Sequence, residues 1–171
     1  QALTYFNEAE DHARVGTYDD KLAMVLINKG EFYLGQKKTD SARTSFEEGL
    51  KIAKQIGKVD LQAYANEEIG ETWVQAGKYE KALRYLHLAI NLSKDKYNYV
   101  AIDESYVLAE ALYNLGDFKQ AEELLLTNLQ AAASSNLKDN TIKGYTILAD
   151  VYKAAGDYKK AIDCMDIISV L

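Results

Sequence analysis

An all-α solenoid of helix-turn-helix repeats is the fold class this sequence predicts, and three observations predict it. A small residue returns at a nearly fixed beat, at Ala2, Ala42, Ala82, Ala121 and Ala161, with intervals of 40, 40, 39 and 40 residues. A Gly-x-aromatic figure, with Ala three residues after the aromatic, keeps the same beat: GKYEKA from Gly77, GDFKQA from Gly116, GDYKKA from Gly156, and a damaged KKTDSA from Lys37. Between the figures, apolar residues hold the three-and-four spacing of amphipathic helices, and no proline interrupts them. A period of this size means that each unit is one supersecondary element, able to bury its apolar face only against its neighbours.

Taken in order, Ala2, Phe6 and Ala9 read as the second helix of a unit without its first, so residues 1–16 form a half repeat. Full repeats follow at 17–57, 58–96, 97–136 and 137–171, making one array over residues 1–171. Their first helices are expected to begin near Thr17, Asp60, Asn98 and Asp139, whose side chains can accept from free amides of a first helical turn. Second helices are expected to end near Arg14, Ile56, Ser93 and Ser134, with Gly57 marking one end. In repeat 58–96, Ala65, Ile69, Trp73 and Val74 make the first apolar stripe, and Ala82, Leu83, Leu86, Ala89 and Ile90 the second. Gly77, between them, suits the left-handed residue that closes a helix.

Repeat 17–57 departs from the pattern. Lys29 stands where an apolar residue is expected, and Lys37 and Thr39 replace the Gly and the aromatic, so a looser turn is expected there. Asn128 and Ile168 replace the late small residue of the last two repeats, where looser packing is expected. Elsewhere the steric logic is plain: helices approach closely where one side is small, and Gly30, Gly70, Ala109 and Ala149 supply that side. Tyr33, Trp73, Leu112 and Tyr152, with Phe46, Leu86, Leu125 and Met165, are the matching large residues of the core.

Composition narrows the function. Net charge is −6, from 26 acidic and 20 basic side chains, and no basic stripe is present, which argues against direct nucleic-acid binding by this region. No apolar run is long enough for a membrane span. Cys164 is the single cysteine, so an intramolecular disulfide is impossible and a thiolate metal site lacks partners. His12 and His87 have no ligand at metal spacing, and no nucleophile elbow, phosphate loop or HExxH-like pair occurs. No enzyme activity, cofactor or metal is expected. The 17 Lys against 3 Arg suggest a bacterial, AT-rich gene, and a cytoplasmic location is favoured.

The units resemble tetratricopeptide repeats. Ile69-Gly70, Trp73, Gly77, Tyr79, Ala82, Leu86 and Ala89 stand at that family's spacing. So do Leu108-Ala109, Leu112, Gly116, Phe118, Ala121 and Leu125, then Leu148-Ala149, Tyr152, Gly156, Tyr158, Ala161 and Met165. The common repeat has about 34 residues and the competing helical repeats about 40 to 47. The Gly-x-aromatic figure favours the former, in a long-period variant whose six extra residues lengthen both helices. The resemblance implies a right-handed superhelix whose concave side, lined by first helices, binds peptides.

Glu31, Glu71, Glu110 and Asp150 each stand two residues before a large core residue of a first helix. Two residues are about 200° of rotation, so these carboxylates are expected on the side opposite the partner helix, which the resemblance makes the groove. On the same stripe lie Met24, Ile27 and Leu34, then Tyr64, Glu67 and Val74, then Asp103, Tyr106 and Tyr113, while Lys143, Thr146 and Lys153 make the last repeat polar. The family's site for C-terminal carboxylates uses Lys and Asn where Glu or Asp stands here, so a basic peptide with apolar anchors is the expected partner. Two alternatives remain open: the peptide-sensing portion of a larger bacterial transcription regulator or sensor kinase, and a spacer or self-association module. A start inside a repeat is expected of a fragment of a longer protein, and uncapped ends would allow a homo-oligomer.

Overall fold

A computed structural model describes residues 2–16, 18–93 and 98–171. Among them are helices and joints but no strand: α1 (Ala2–Val15), α2 (Asp19–Gly35), α3 (Thr39–Gln55), α4 (Val59–Gln75), α5 (Tyr79–Ser93), α6 (Asn98–Asn114), α7 (Phe118–Ser134), α8 (Lys138–Ala155) and α9 (Tyr158–Val170). The chain is an all-α helical-repeat solenoid. Helices α2, α3 and α4 are each 17 residues long and are separated by three-residue joints, 36–38 and 56–58. Two such helices and two such joints account for the forty-residue beat.

Each joint closes on its own backbone. At 76–78 the Gly77 amide donates to the Val74 carbonyl at 2.9 Å and the Lys78 amide to the Trp73 carbonyl at 2.9 Å, the paired bonds of a Schellman turn. The left-handed residue is Gly57, Gly77, Gly116 or Gly156 at four joints, Lys37 at a fifth and Asn136 at a sixth. The looser turn expected at Lys37 is not found. Its amide donates to Leu34 at 2.8 Å and that of Lys38 to Tyr33 at 2.9 Å, as at Gly77, with Lys37 forced to φ 58. Hydrogen-bond closure of the helix end outweighs the ~1–2 kcal/mol that a left-handed L-residue costs.

The expected N-caps are also corrected. Lys58 and Leu137 occupy the cap positions of α4 and α8 without side-chain hydrogen bonds, and Asp60 and Asp139 lie in the first turns. The cap residue is also the second residue of the preceding Schellman pair, so the turn decides its place. Asp60 and Asp139 instead set negative charge against the helix dipole. Asp117 and Asp157 do cap, accepting from the Gln120 and Lys160 amides at 3.1 and 3.2 Å. Thr17 lies outside the described residues, as does the side chain of Asn98.

By contacts the chain divides into two compact units, Gln1–Leu92 and Ser93–Leu171. In the first, α1 packs on α2, α2 on α3 and α3 on α4. Its core holds Ile27, Ala42, Phe46, Leu50, Ala65 and Ile69, with Tyr33 and Trp73 half-buried against it. A methyl group on Gly30 would lie 2.4 Å from the Phe46 ring, and one on Gly70 2.7 Å from Leu86, so these glycines admit the large residue of the facing helix. Arg43 stacks 3.7 Å from the Trp73 ring centroid and donates through Nε to Thr72 Oγ1 at 3.0 Å, tying α3 to α4.

In the second unit α6, α7, α8 and α9 pack in succession, and α6 also touches α8. Leu108, Ala109, Leu112, Ala121, Leu125, Leu148, Ala149 and Tyr152 are buried as expected. Met165 is not: on α9, the last helix described, it is 53% exposed. Asn128, at a position expected to pack loosely, is buried with its Nδ2 unbonded.

Candidate functional site

Glu31, on α2, faces Tyr64, on α4, whose hydroxyl donates to Glu31 Oε1 at 2.7 Å. One and two turns further along α4 stand Glu68 and Glu71. Burial, with the like charges of Glu71 and Glu31 beside it, pushes the Glu68 carboxyl up to about 7 despite its hydrogen bond with Tyr64. Burial also moves the Tyr64 phenol above its usual range, reinforced by its bond to Glu31 and the charges of Glu68 and Glu67. The four groups are therefore within electrostatic reach of one another, and no cation of the chain forms a described ion pair with Glu31, Glu68 or Glu71.

Met24 is 53% exposed on α2, and Tyr64 and Glu31 are exposed beside it. Leu34, Glu67, Glu71 and Val74 are half-buried. Ile27 is corrected: at 1% exposure it belongs to the core, facing Gly49 of α3, and offers nothing to a ligand. The open stripe of α2 runs instead through exposed Asn28, three positions before the acid rather than four, while on α4 both Glu67 and Glu68 are half-buried. Glu68 was missed in the sequence. Its signal was the spacing Tyr64, Glu68, Glu71, Gln75, a polar row that ends with Gln75 Nε2 donating to Glu71 Oε1 at 3.3 Å.

In the second unit Glu110 and Asp150 are exposed and Tyr113 is half-buried against Phe118, with ring centroids 6.1 Å apart. Tyr106 is corrected as Ile27 is: 1% exposed, its hydroxyl donates to the Asn140 carbonyl at 2.7 Å and serves the core. Asp150 is neutralised by Lys153 at 3.0 Å. The side chain of Asp103 lies outside the described residues. The acidic cluster that lacks a cation is thus a property of α2 and α4.

Other groups behave as structure. His12 and His87 are exposed, and burial raises the Cys164 thiol above its usual value, which makes it a poor nucleophile. No group of His, Cys, Asp and Glu among the described residues could hold a metal ion. No described helix is long and apolar enough to cross a membrane.

Antiparallel helix pairs, joined by short turns that close on their own backbone and crossing at small residues, define a helical-repeat scaffold. A family model described as tetratricopeptide repeat matches residues 101–166, and a second of that description matches 25–56. The chain belongs to the tetratricopeptide repeat family. It is 26% identical over 114 residues, 66% of its length, to human "Tetratricopeptide repeat protein 29", of which it spans 24%. Among solved structures, BtubC (BKLC) from P. vanneervenii superposes with TM-score 0.83 at 22% identity, covering 99% of this chain and 74% of that one. A Rap protein complexed with Competence and Sporulation Factor superposes with TM-score 0.78 at 22% identity, covering 96% and 48%. These likenesses show the fold.

Proposed function

We propose that this chain is a non-catalytic protein-interaction module whose α2/α4 face binds a basic peptide segment with apolar anchors. One observation carries the reading: Glu31, Glu68 and Glu71 lie together beside Tyr64 with no ion pair to a cation among the described residues, and burial with these like charges raises the Glu68 carboxyl to about 7. Like charges a turn apart, as Glu68 and Glu71 are, cost a helix about 0.2–0.5 kcal/mol per pair. A Lys or Arg from outside would relieve it. Met24 and Val74 provide apolar surface at its border, the arrangement of a peptide site with a charged rim. In the second unit, taken by itself, Glu110 is exposed on α6 and Tyr113 is half-buried on the same helix.

A second reading is the peptide-sensing portion of a larger regulator. It is favoured by the superposition on a Rap protein whose structure includes Competence and Sporulation Factor. Both readings put a peptide on this scaffold. They differ in whether the chain's own neighbours are switched by it.

The test is a titration of the 171-residue chain with a labelled Lys/Leu peptide and its Glu/Leu counterpart at several salt concentrations. The basic peptide binds more tightly, its affinity falls as salt rises, and Glu31→Gln with Glu71→Gln weakens it about tenfold. Equal binding of both peptides, or binding independent of salt, refutes the acidic-face reading.

A further inference from the structure

On the side of the first unit formed by the second helices lies a pocket of about 350 Å³ whose walls come from α3, α4 and α5. Lys51 and Lys54 of α3 and Arg84 of α5 line it, with Glu47 the single opposing charge. None of the four takes part in an ion pair among the described residues, and all are exposed. In a chain of net charge −6, this is a local surplus of positive charge, three cations to the one carboxylate of Glu47. Tyr85 and Leu88 give the wall an apolar part.

Asn66 of α4 lines the same pocket and is 1% exposed. Its Nδ2 donates to the Gln62 carbonyl at 2.6 Å, while its Oδ1 is buried with no donor in reach. A buried amide oxygen left unbonded is costly, and native folds seldom keep one without use. The pocket therefore lacks two things: negative charge for the two cations in excess of Glu47, and a hydrogen-bond donor for one oxygen.

We infer that the pocket bounded by Lys51, Lys54, Asn66 and Arg84 is a second docking site, for an acidic peptide segment. A carboxylate-bearing segment pairs with the cations, its backbone amide donates to Asn66 Oδ1 once that side chain turns toward the pocket, and an adjoining apolar side chain rests on Leu88 and Tyr85. One ligand class carries all three groups at residue spacing. A small inorganic anion supplies the charge alone. The site shares only α4 with the Glu31, Glu68 and Glu71 cluster, and takes the opposite charge.

Two fluorescent peptides test it on the 171-residue chain: acetyl-Glu-Asp-Leu-Phe-Asp-Glu-amide and its amide analogue, acetyl-Gln-Asn-Leu-Phe-Asn-Gln-amide, with citrate and inorganic phosphate as competitors. The acidic peptide binds and the analogue binds at least tenfold more weakly. Lys54→Gln with Arg84→Gln, both at exposed positions that the fold does not need, weakens the acidic peptide about tenfold. Asn66→Leu weakens it as well, yet raises the melting temperature of the free chain by removing an unbonded oxygen, a pair of effects that a purely structural Asn66 cannot give. The inference is overturned if both peptides bind alike, if phosphate or citrate binds the pocket as tightly as the acidic peptide does, or if the pocket variants bind as the parent does. It is overturned too if Asn66→Leu lowers the melting temperature and leaves affinity unchanged.

Discussion

Lys29 Nζ donates to Glu10 Oε2 at 2.8 Å, with both side chains only 15% exposed. The pair joins α2 to α1 at the position where the repeat pattern calls for an apolar residue, so an ion pair stands in for a hydrophobic contact. Arg14 adds two more hydrogen bonds, from Nε at 3.0 Å and from Nη2 at 2.7 Å, both to Glu10 Oε1. Burial pushes the Glu10 carboxyl up, but its bonds to Lys29 and Arg14 outweigh that and hold it below its ordinary value.

Lys29→Met and Glu10→Gln should each destabilise the chain by about 1–3 kcal/mol, with less than additive loss in the double variant. Because the folded carboxyl is the stronger acid, its contribution is present above the unfolded value of about 4.3 and is lost as pH falls through the folded value. Urea melts between pH 3 and 7 should show an acid-side loss that Glu10→Gln removes.

Glu68 has the opposite sign. Its folded value, about 7, lies above the unfolded one, so the native state holds the proton more tightly and stability falls as pH rises from about 4.3 to 7, then levels off. Glu68→Gln should melt with the parent at pH 4 and above it at pH 8. Identical melting curves at pH 8 would show that Glu68 is not held near neutrality. Binding of a basic peptide should release a proton at pH 7, visible as a dependence of the calorimetric heat on buffer ionisation enthalpy.

Lys37 and Asn136 hold left-handed conformations at φ 58 and 56 that four other joints give to glycine. Lys37→Gly should stabilise by about 1 kcal/mol and Asn136→Gly by less, since Asn tolerates this region better. Thermal unfolding should rise by about 2–4 °C for Lys37→Gly.

Two glycines of α2 separate packing from propensity. Alanine at Gly30 meets the Phe46 ring and should cost about 1–3 kcal/mol, whereas alanine at Gly35 meets nothing within 4 Å and should gain about 0.5–1 kcal/mol. Opposite shifts in denaturation midpoint are the expected result.

The beat of the repeats was legible because its constraints leave few choices of residue. A crossing such as Gly30 on Phe46 needs a missing side chain, and a left-handed joint favours glycine. The exposure of Glu31, Glu110 and Asp150 followed from rotation about a helix axis. What rotation did not decide is which neighbour of the acid shares its exposure, because three residues and four residues back fall on either side of it. Ile27 and Tyr106 lie on the covered side and Asn28 on the open one, with Glu68 half-buried between them. Apolar Ile27 and Tyr106 against polar Asn28 and Glu68 was the available clue. Asn66, a polar residue at a core position, gave no such sign before its surroundings were known.

The three-residue joints carry a consequence for how such a chain can change over time. Lys38, Lys58 and Lys78 each finish one rod and start the next, so an inserted residue there would break the closing bonds and swing everything beyond it. Length is frozen at the hinges, and novelty is left to the side chains on display. Whole hairpins can be duplicated, deleted or exchanged at those seams with their ends already fitted.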